Sequence, residues 1–398
     1  MPMSDPAHQY LHEALSHIEE RSVKRDVVDW SVARAAAHRE AEDAVEPADT
    51  YSAVRAALLA LNDRHSFLVP AHEARQRAHG MWTGLGLHAL GPDGVIVQVH
   101  PGSPADRAGL AVGDTIVAMD GKPLTSAETR PLPLHGRESV VLEVRRQGVD
   151  GVERVALQAS PYAVGLLPRS RLLNGSIGYI ELPEQLSGGD WGGGGEPGQE
   201  YAETAQRIIR ELEGQGARAW IIDLRRNPGG DMFPMIAGLG PLLGEGTCCY
   251  FVGPGGTLQP IGYHNGEASD GQTVWARVED PYVLARATPP VAVLIGPLTA
   301  SSGEFTALAL RNRPMTRLFG EPTYGVPTGN ETKVLSDGAV LFLTVCLGAD
   351  RAGETFDGPI PPDEVVPSRW AEFGHAGDTA VSRAIDWIDT VITAPNSA

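Results

Sequence analysis

Cysteine is scarce in this chain: three in 398 residues, two of them adjacent at Cys248 and Cys249. That excludes a disulfide framework and a cysteine-built zinc cluster. Positive charge is also short, with 32 Lys and Arg against 50 Asp and Glu and a formal net charge of −18. Nucleic-acid affinity needs clustered Lys and Arg to displace counterions, so nucleic acid is not an expected partner. No segment offers the ~20 consecutive apolar residues of a membrane-crossing helix. The start, Met1-Pro-Met-Ser-Asp-Pro6, runs into charged sequence without the apolar stretch of an export signal. The expectation is a cytoplasmic protein with no membrane partner, no metal and no cofactor. What is present is ordinary globular composition, 42% hydrophobic and 21% charged, in a chain long enough for two or three domains.

Residues 5–80 read as helical, with Leu11, Leu15 and Ile18 spaced by three and four. A second helix over Tyr51–Leu61 stops at Asn62-Asp63-Arg64-His65, which puts His65 just past a helix end. From about Trp82 the texture changes to short β-like runs, 94–99, 114–119 and 139–144, separated by Gly and Pro. After Pro161 strands alternate with helices: 176–182, a helix near Tyr201–Leu212, 219–224 and 291–295. That is the pattern of a layered α/β core. The expected organisation is 1–80 helical, 81–160 a β-rich module and 161–398 the α/β core. Within the core, 187–198 holds six glycines before Gly198 and is expected to form a surface loop.

The β-rich module carries Gly84-Leu85-Gly86-Leu87, followed by Gly102-Ser103-Pro104-Ala105 and Gly113-Asp114-Thr-Ile-Val-Ala-Met-Asp120-Gly121. It closely resembles the PDZ domain of bacterial proteases. The resemblance implies that Gly84, Leu85, Gly86 and Leu87 form a carboxylate-binding loop beside a strand edge open to an extended peptide. A barrel that merely packs on the core is the alternative.

Two motifs fall at the carboxyl edge of the expected sheet, where α/β folds place their ligands. Asp223-Leu-Arg225-Arg-Asn227-Pro-Gly229-Gly230 ends a buried strand with glycine amides able to approach a reacting carbonyl. It also reads as a plain strand-to-helix turn. Thr299-Ala-Ser301-Ser302-Gly-Glu304 follows strand 291–295 and opens an apolar helix. That places the Ser301 hydroxyl at the sheet edge with amides behind it. Ser-x-x-Glu is equally a capping box, and the two readings are compatible.

Taken together, the helical segment, the PDZ-like module, Asp-Leu-Arg-x-Asn-Pro-Gly-Gly, Thr-Ala-Ser-Ser-x-Glu and Gly320-Glu-Pro-Thr-Tyr-Gly325 resemble the tail-specific protease, or C-terminal processing peptidase, family. The resemblance runs from about Asp26 to Pro367. It implies a crotonase/ClpP-like layered β-α-β core, an N-terminal helical segment, an inserted PDZ domain, and hydrolysis of peptide bonds in protein or peptide tails. One branch places its catalytic lysine one position after the glycine of this last motif. Here that position is Val326, and Lys333 lies seven positions further on. The sequence is instead similar to the Ser-His branch of tricorn-like and nisin-resistance-type proteins. That similarity makes His65 the general base of the Ser301 nucleophile, with His72, His79 and His264 as weaker rivals. Glu304 is expected to orient the site or to cap its helix. Gly229 or Gly230 together with Ser302 are expected to supply oxyanion donors. The rival function is a non-catalytic protein of the same fold that holds peptides or small apolar ligands. Assembly into a homo-oligomer is left open.

Overall fold

The computed structural model describes residues 3–90, 94–124, 131–135, 137–186, 196–375 and 377–393. Its centre is a six-stranded sheet in the order Arg169–Leu173, Ile177–Glu181, Ala219–Asp223, Val291–Ile295, Thr316–Gly320 and Glu364–Val365. The first pair is antiparallel and the remaining four pairs are parallel. The middle strands are apolar on both faces, as a parallel strand covered on both sides must be. Trp220, Ile222 and Val293 pack among helices Glu196–Gly214, Met232–Leu243 and Ser302–Leu310. Ala219, Ile221, Ala292 and Leu294 pack against helix Thr379–Thr393 on the other face. The parallel register brings the ends Asp223 and Ile295 to one edge, so loops 224–231 and 296–301 leave the sheet side by side.

A second sheet is built on the long strand Val340–Ala349 and flanks this core. Thr328–Val334, Phe67–Val69 and Gly246–Val252 all pair with the long strand. The expectation of an all-helical 5–80 segment is therefore corrected at Phe67–Val69, which pairs antiparallel with 340–342. The reason is long-range: Leu68 and Val69 bury in a sheet whose other strands come from the far end of the chain. The N-terminal segment does not close a core by itself. Tyr10, Leu11, Leu15 and Ile18 share one apolar cluster with Leu335, Leu341 and Leu343.

The PDZ-like module has its own core of Leu85, Leu87, Ile96, Ile116, Leu142 and Val144. Strand Met81–Leu90 is not open as expected. Val95–Val99 pairs with one side of it, while Pro131–His135 takes the other through Leu90↔Pro131, Ala89↔Leu132 and His88↔Pro133. Of the glycine-rich stretch 187–198, residues 187–195 lie outside the described residues, and 196–198 begin helix Glu196–Gly214.

Candidate active site

Ser301 sits where strand Val291–Ile295 turns into helix Ser302–Leu310, with φ 52° and ψ −119°. A non-glycine residue rarely adopts that conformation, and its use at a tight strand-to-helix turn presents the side chain at the sheet edge. Ser301 is half-buried whereas every residue of the following helix is buried. The turn is pinned from below: Ala300 N–H donates to the Asn227 carbonyl at 3.0 Å, and the Thr299 hydroxyl donates to the Leu224 carbonyl at 2.8 Å.

Gly229 (φ 117°) and Gly230 (φ 108°) lie beside this turn for a steric reason. A β-carbon on Gly229 would come within 2.8 Å of the Ser301 β-carbon, and one on Gly230 would reach 1.9 Å from the Gln185 carbonyl oxygen. The amides differ in availability. Gly229 N–H already donates to Asn227 Oδ1 at 2.9 Å, whereas Gly230 N–H has no hydrogen-bond partner among the described residues. Ser302 opens its helix, where amides lack an intrahelical acceptor, and its hydroxyl donates to the Gly230 carbonyl at 2.6 Å. Of the three expected oxyanion donors, Gly230 and Ser302 keep amides to offer and Gly229 does not.

Glu304 makes the capping contact and three further bonds. Its fully buried carboxylate accepts Ser301 N–H at 2.9 Å, which is the capping contact. It also accepts the Thr323 hydroxyl at 2.5 Å and the N–H groups of Gly325 and Val326 at 2.9 Å each. Burial pushes its pKa up to about 7, against the pull of these four bonds. One carboxylate thus ties the serine turn to 323–326, the segment where the lysine branch carries its base. The side chain at that position, Val326, is buried, and Lys333 turns away to Glu13 at 3.7 Å.

His65 is anchored just beyond the same segment. Its Nδ1 lies 2.7 Å from the Thr328 hydroxyl, two residues beyond Val326, and its carbonyl accepts the Asn330 amide at 3.0 Å. The preceding Arg64 (φ 59°) donates to the Gly325 carbonyl at 2.8 Å. Asp63 closes the turn by accepting the N–H groups of His65 and Ser66. Burial lowers the His65 pKa to about 4, with the Asp63 charge acting in the other direction. His65 and Ser301 are therefore fixed to one short segment, 323–328, through Thr328 on one side and Glu304 on the other. The rival His264 is exposed and faces Glu245, while His79 bonds its own helix at the Arg75 carbonyl.

Sequence reasoning missed Thr328, Asn227 and Asp63. Asp63 stood inside the Asn-Asp-Arg-His string, and Asx-type turn chemistry could have singled it out. Of the expected carboxylate loop, Leu85 and Leu87 are buried in the module's core, and the Gly86 carbonyl accepts His100 N–H at 2.8 Å. Among the described residues no group of three or more His, Cys, Asp or Glu is placed to hold a metal ion.

Residues 176–366 match the model of peptidase family S41, and residues 95–146 match that of a PDZ domain. The chain carries an S41 peptidase domain and a PDZ domain. A nisin-resistance protein of Lactococcus lactis subsp. lactis is 32% identical over 55% of this chain and 62% of its own length. Carboxyl-terminal-processing peptidase 2, chloroplastic, of Arabidopsis thaliana is 29% identical over 79% of this chain and 61% of its own. The chain thus spans about three fifths of the curated relatives it matches. A lipoprotein from Streptococcus agalactiae has a similar structure, with TM-score 0.61 at 19% identity over 98% of this chain and 99% of that one. The photosystem II D1 C-terminal processing protease gives TM-score 0.57 at 22% identity over 92% and 94%. The S41 and PDZ units share the fold of these proteins across nearly the whole chain.

Proposed function

We propose that the chain is a serine peptidase that hydrolyses peptide bonds in protein or peptide tails. Ser301 attacks the carbonyl as His65 removes its proton, and the N–H groups of Gly230 and Ser302 hold the tetrahedral oxyanion. His65 then returns the proton to the leaving amine, and water resolves the acyl-enzyme by the same route. The observation that carries this reading is Ser301 itself: half-exposed at a φ of 52°, at the head of a buried helix and against a side-chain-free Gly229. The neutral imidazole of His65 on the adjoining segment supports the choice of base.

The PDZ domain is proposed to bind the substrate C-terminus at Gly84, Leu85, Gly86 and Leu87, which requires a tail to displace Pro131–His135 from the strand edge. The substrate class is supported by relatives named as carboxyl-terminal-processing peptidases. Helices on both faces of the central sheet support a crotonase/ClpP-like layering of residues 161–398. The net charge of −18 supports a role without nucleic acid, and among the described residues no helix is long and apolar enough to cross a membrane. A cytoplasmic setting is part of the proposal, supported by three buried, unbridged cysteines and testable by cell fractionation. Self-association into a homo-oligomer is compatible with it and is read by sedimentation.

A fluorophosphonate probe tests the reading. The wild type is expected to label, Ser301→Ala to lose all label, and His65→Ala to label far more slowly. A wild type that folds and does not label would overturn the peptidase reading in favour of the ligand-binding one.

A further inference from the structure

The residue before the proposed base places a cation beside the site. Arg64 is exposed, and among the described residues its guanidinium makes one hydrogen bond, to the Gly325 carbonyl at 2.8 Å, and no ion pair. A guanidinium carries five N–H donors in a fixed fork that matches a carboxylate, so most of its donors are left over here. The neighbouring Asp63 carboxylate is occupied by the N–H groups of His65 and Ser66.

The segment that holds Arg64 is bonded to the turn of the nucleophile. Tyr324, whose ring centroid lies 6.0 Å from Arg64 Cζ, donates its N–H to the Thr299 carbonyl at 2.9 Å. Gly325 N–H goes to Glu304, whose other carboxylate oxygen accepts Ser301 N–H. The bonds from Ser301 through Glu304 and Gly325 to Arg64 are each 2.8–2.9 Å long. With the covalent atoms between them they keep the guanidinium within roughly 14 Å of the Ser301 nitrogen, about four residues of extended chain. The backbone is also specialised: Asn62 takes φ 51° and Arg64 φ 59°. Left-handed backbone suits Asn but is uncommon for a long side chain such as Arg, and such outliers gather at functional sites.

We infer that Arg64 is a specificity residue that receives a substrate carboxylate on the leaving-group side, no more than about four residues beyond the scissile bond. This rests on the serine-peptidase reading above, in which His65 returns its proton to the leaving amine and so stands, with Arg64, on that side. A peptide can offer two carboxylates there, its C-terminus or an Asp or Glu side chain, and both fit the fork. With a C-terminus in that place, the enzyme trims short pieces from the end of a peptide. The PDZ strand edge is taken by Pro131–His135, whereas the spare guanidinium donors have no such occupant among the described residues. A chain of net charge −18 repels acidic peptides at a distance, which makes a local cation the feature that admits one.

The full chain as wild type, Arg64→Gln and Arg64→Lys tests this with a quenched fluorescent peptide whose cleavage point has been located by mass spectrometry. The peptide is made with two, four or eight residues after that point, each as free acid and as amide. The wild type is expected to favour the two- and four-residue acids over their amides by about 10-fold or more in kcat/KM, as for one charge-assisted contact. Most of the difference should lie in KM, because the contact is equal in ground and transition states. At eight residues the preference should vanish. Arg64→Gln should bring the acid-to-amide ratio near one, and Arg64→Lys should keep part of it, since charge remains without the fork. The ratio is read within each variant, so a general loss of rate does not blur it. An amide with Glu among its first four leaving residues forms a second arm: cleavage restored in the wild type and not in Arg64→Gln supports a side-chain carboxylate at Arg64, and no restoration supports the terminus. Equal rates on acids and amides in the wild type, or an acid preference that persists in Arg64→Gln, overturn the inference. If the wild type neither labels nor cleaves, the peptidase reading fails separately. Calorimetry of the acid and amide peptides on Ser301→Ala, with and without Arg64→Gln, then still decides the carboxylate claim.

Discussion

Gly229 lies so close to Ser301 that a β-carbon added to it would stand 2.8 Å from the serine β-carbon and 3.1 Å from the Ser302 nitrogen. Its φ of 117° is also unfavourable for any side chain. Gly229→Ala must therefore push the serine turn and the donor loop apart. Loss of a single oxyanion donor typically lowers the rate ~10²–10³-fold, and a fall in kcat/KM of that order is expected. Steady-state kinetics beside a thermal melt would check it, a melt near wild type showing that the damage is local.

As the proposed base, His65 is expected to set the acid limb of the pH profile. Burial lowers its pKa to about 4, so the base is neutral at all higher pH, and kcat/KM is expected to hold down to about pH 4 and fall below that. Asp63 opposes this shift, so Asp63→Asn should move the limb to still lower pH. A limb near the ordinary histidine value of ~6.5 would contradict the buried environment described above.

Thr328 orients the imidazole through the 2.7 Å contact at Nδ1. A base without its orienting partner loses the tautomer and angle it needs. Thr328→Val should lower kcat with little change in KM, and Thr328→Ser should restore it. The split between the two constants is the readout.

Asn227 is fully buried and accepts from Gly229 N–H while donating to the Pro183 carbonyl. Asn227→Ala leaves a buried donor and a buried acceptor without partners, at ~1–3 kcal/mol each. Urea unfolding should register a loss of about 2–6 kcal/mol on that basis. Below the sheet, buried Arg225 is shared by Asp223 and Asp378, with Asp378 contacts at 3.0 and 2.7 Å. Removing one partner of a buried ion pair typically costs ~3–5 kcal/mol, so Asp378→Ala should lower the melting temperature by an amount that a thermal melt resolves.

Strand Pro131–His135 pairs along the edge of strand Met81–Leu90 that a tail is proposed to take. Of the three residues paired with His88, Ala89 and Leu90, only Leu132 has an N–H to donate. Leu132→Pro should release this strand and raise the affinity for a free C-terminal peptide by about tenfold, each 1.4 kcal/mol of lost competition corresponding to that factor. Fluorescence anisotropy with a labelled peptide would report it, and unchanged affinity would mean that the tail does not bind at this edge.

The serine side of the site was legible in the sequence because it is local: strand, turn, Ser301 and Glu304 all fall within residues 291–304. His65 was placed by resemblance and by its position past a helix end, but its partner Thr328 stands 263 positions away and no spacing announces it. Which glycine amide stays available was equally hidden, since it depends on where the Asn227 side chain points. The occupied PDZ edge could not be foreseen either. Pro131 and Pro133 read as turn residues, yet they stand two apart in a strand, where residues at that spacing present their backbone nitrogens to the same side.

The apolar cluster shared by Tyr10, Leu11, Leu15 and Ile18 with Leu341 and Leu343 has a consequence for inheritance. The imidazole travels with the first third of the chain and the hydroxyl with the last, yet neither third can bury its greasy surface without the other. Duplication, recombination or clipping that separates them would leave two sticky halves rather than two idle modules, so the pair must be passed on as one piece.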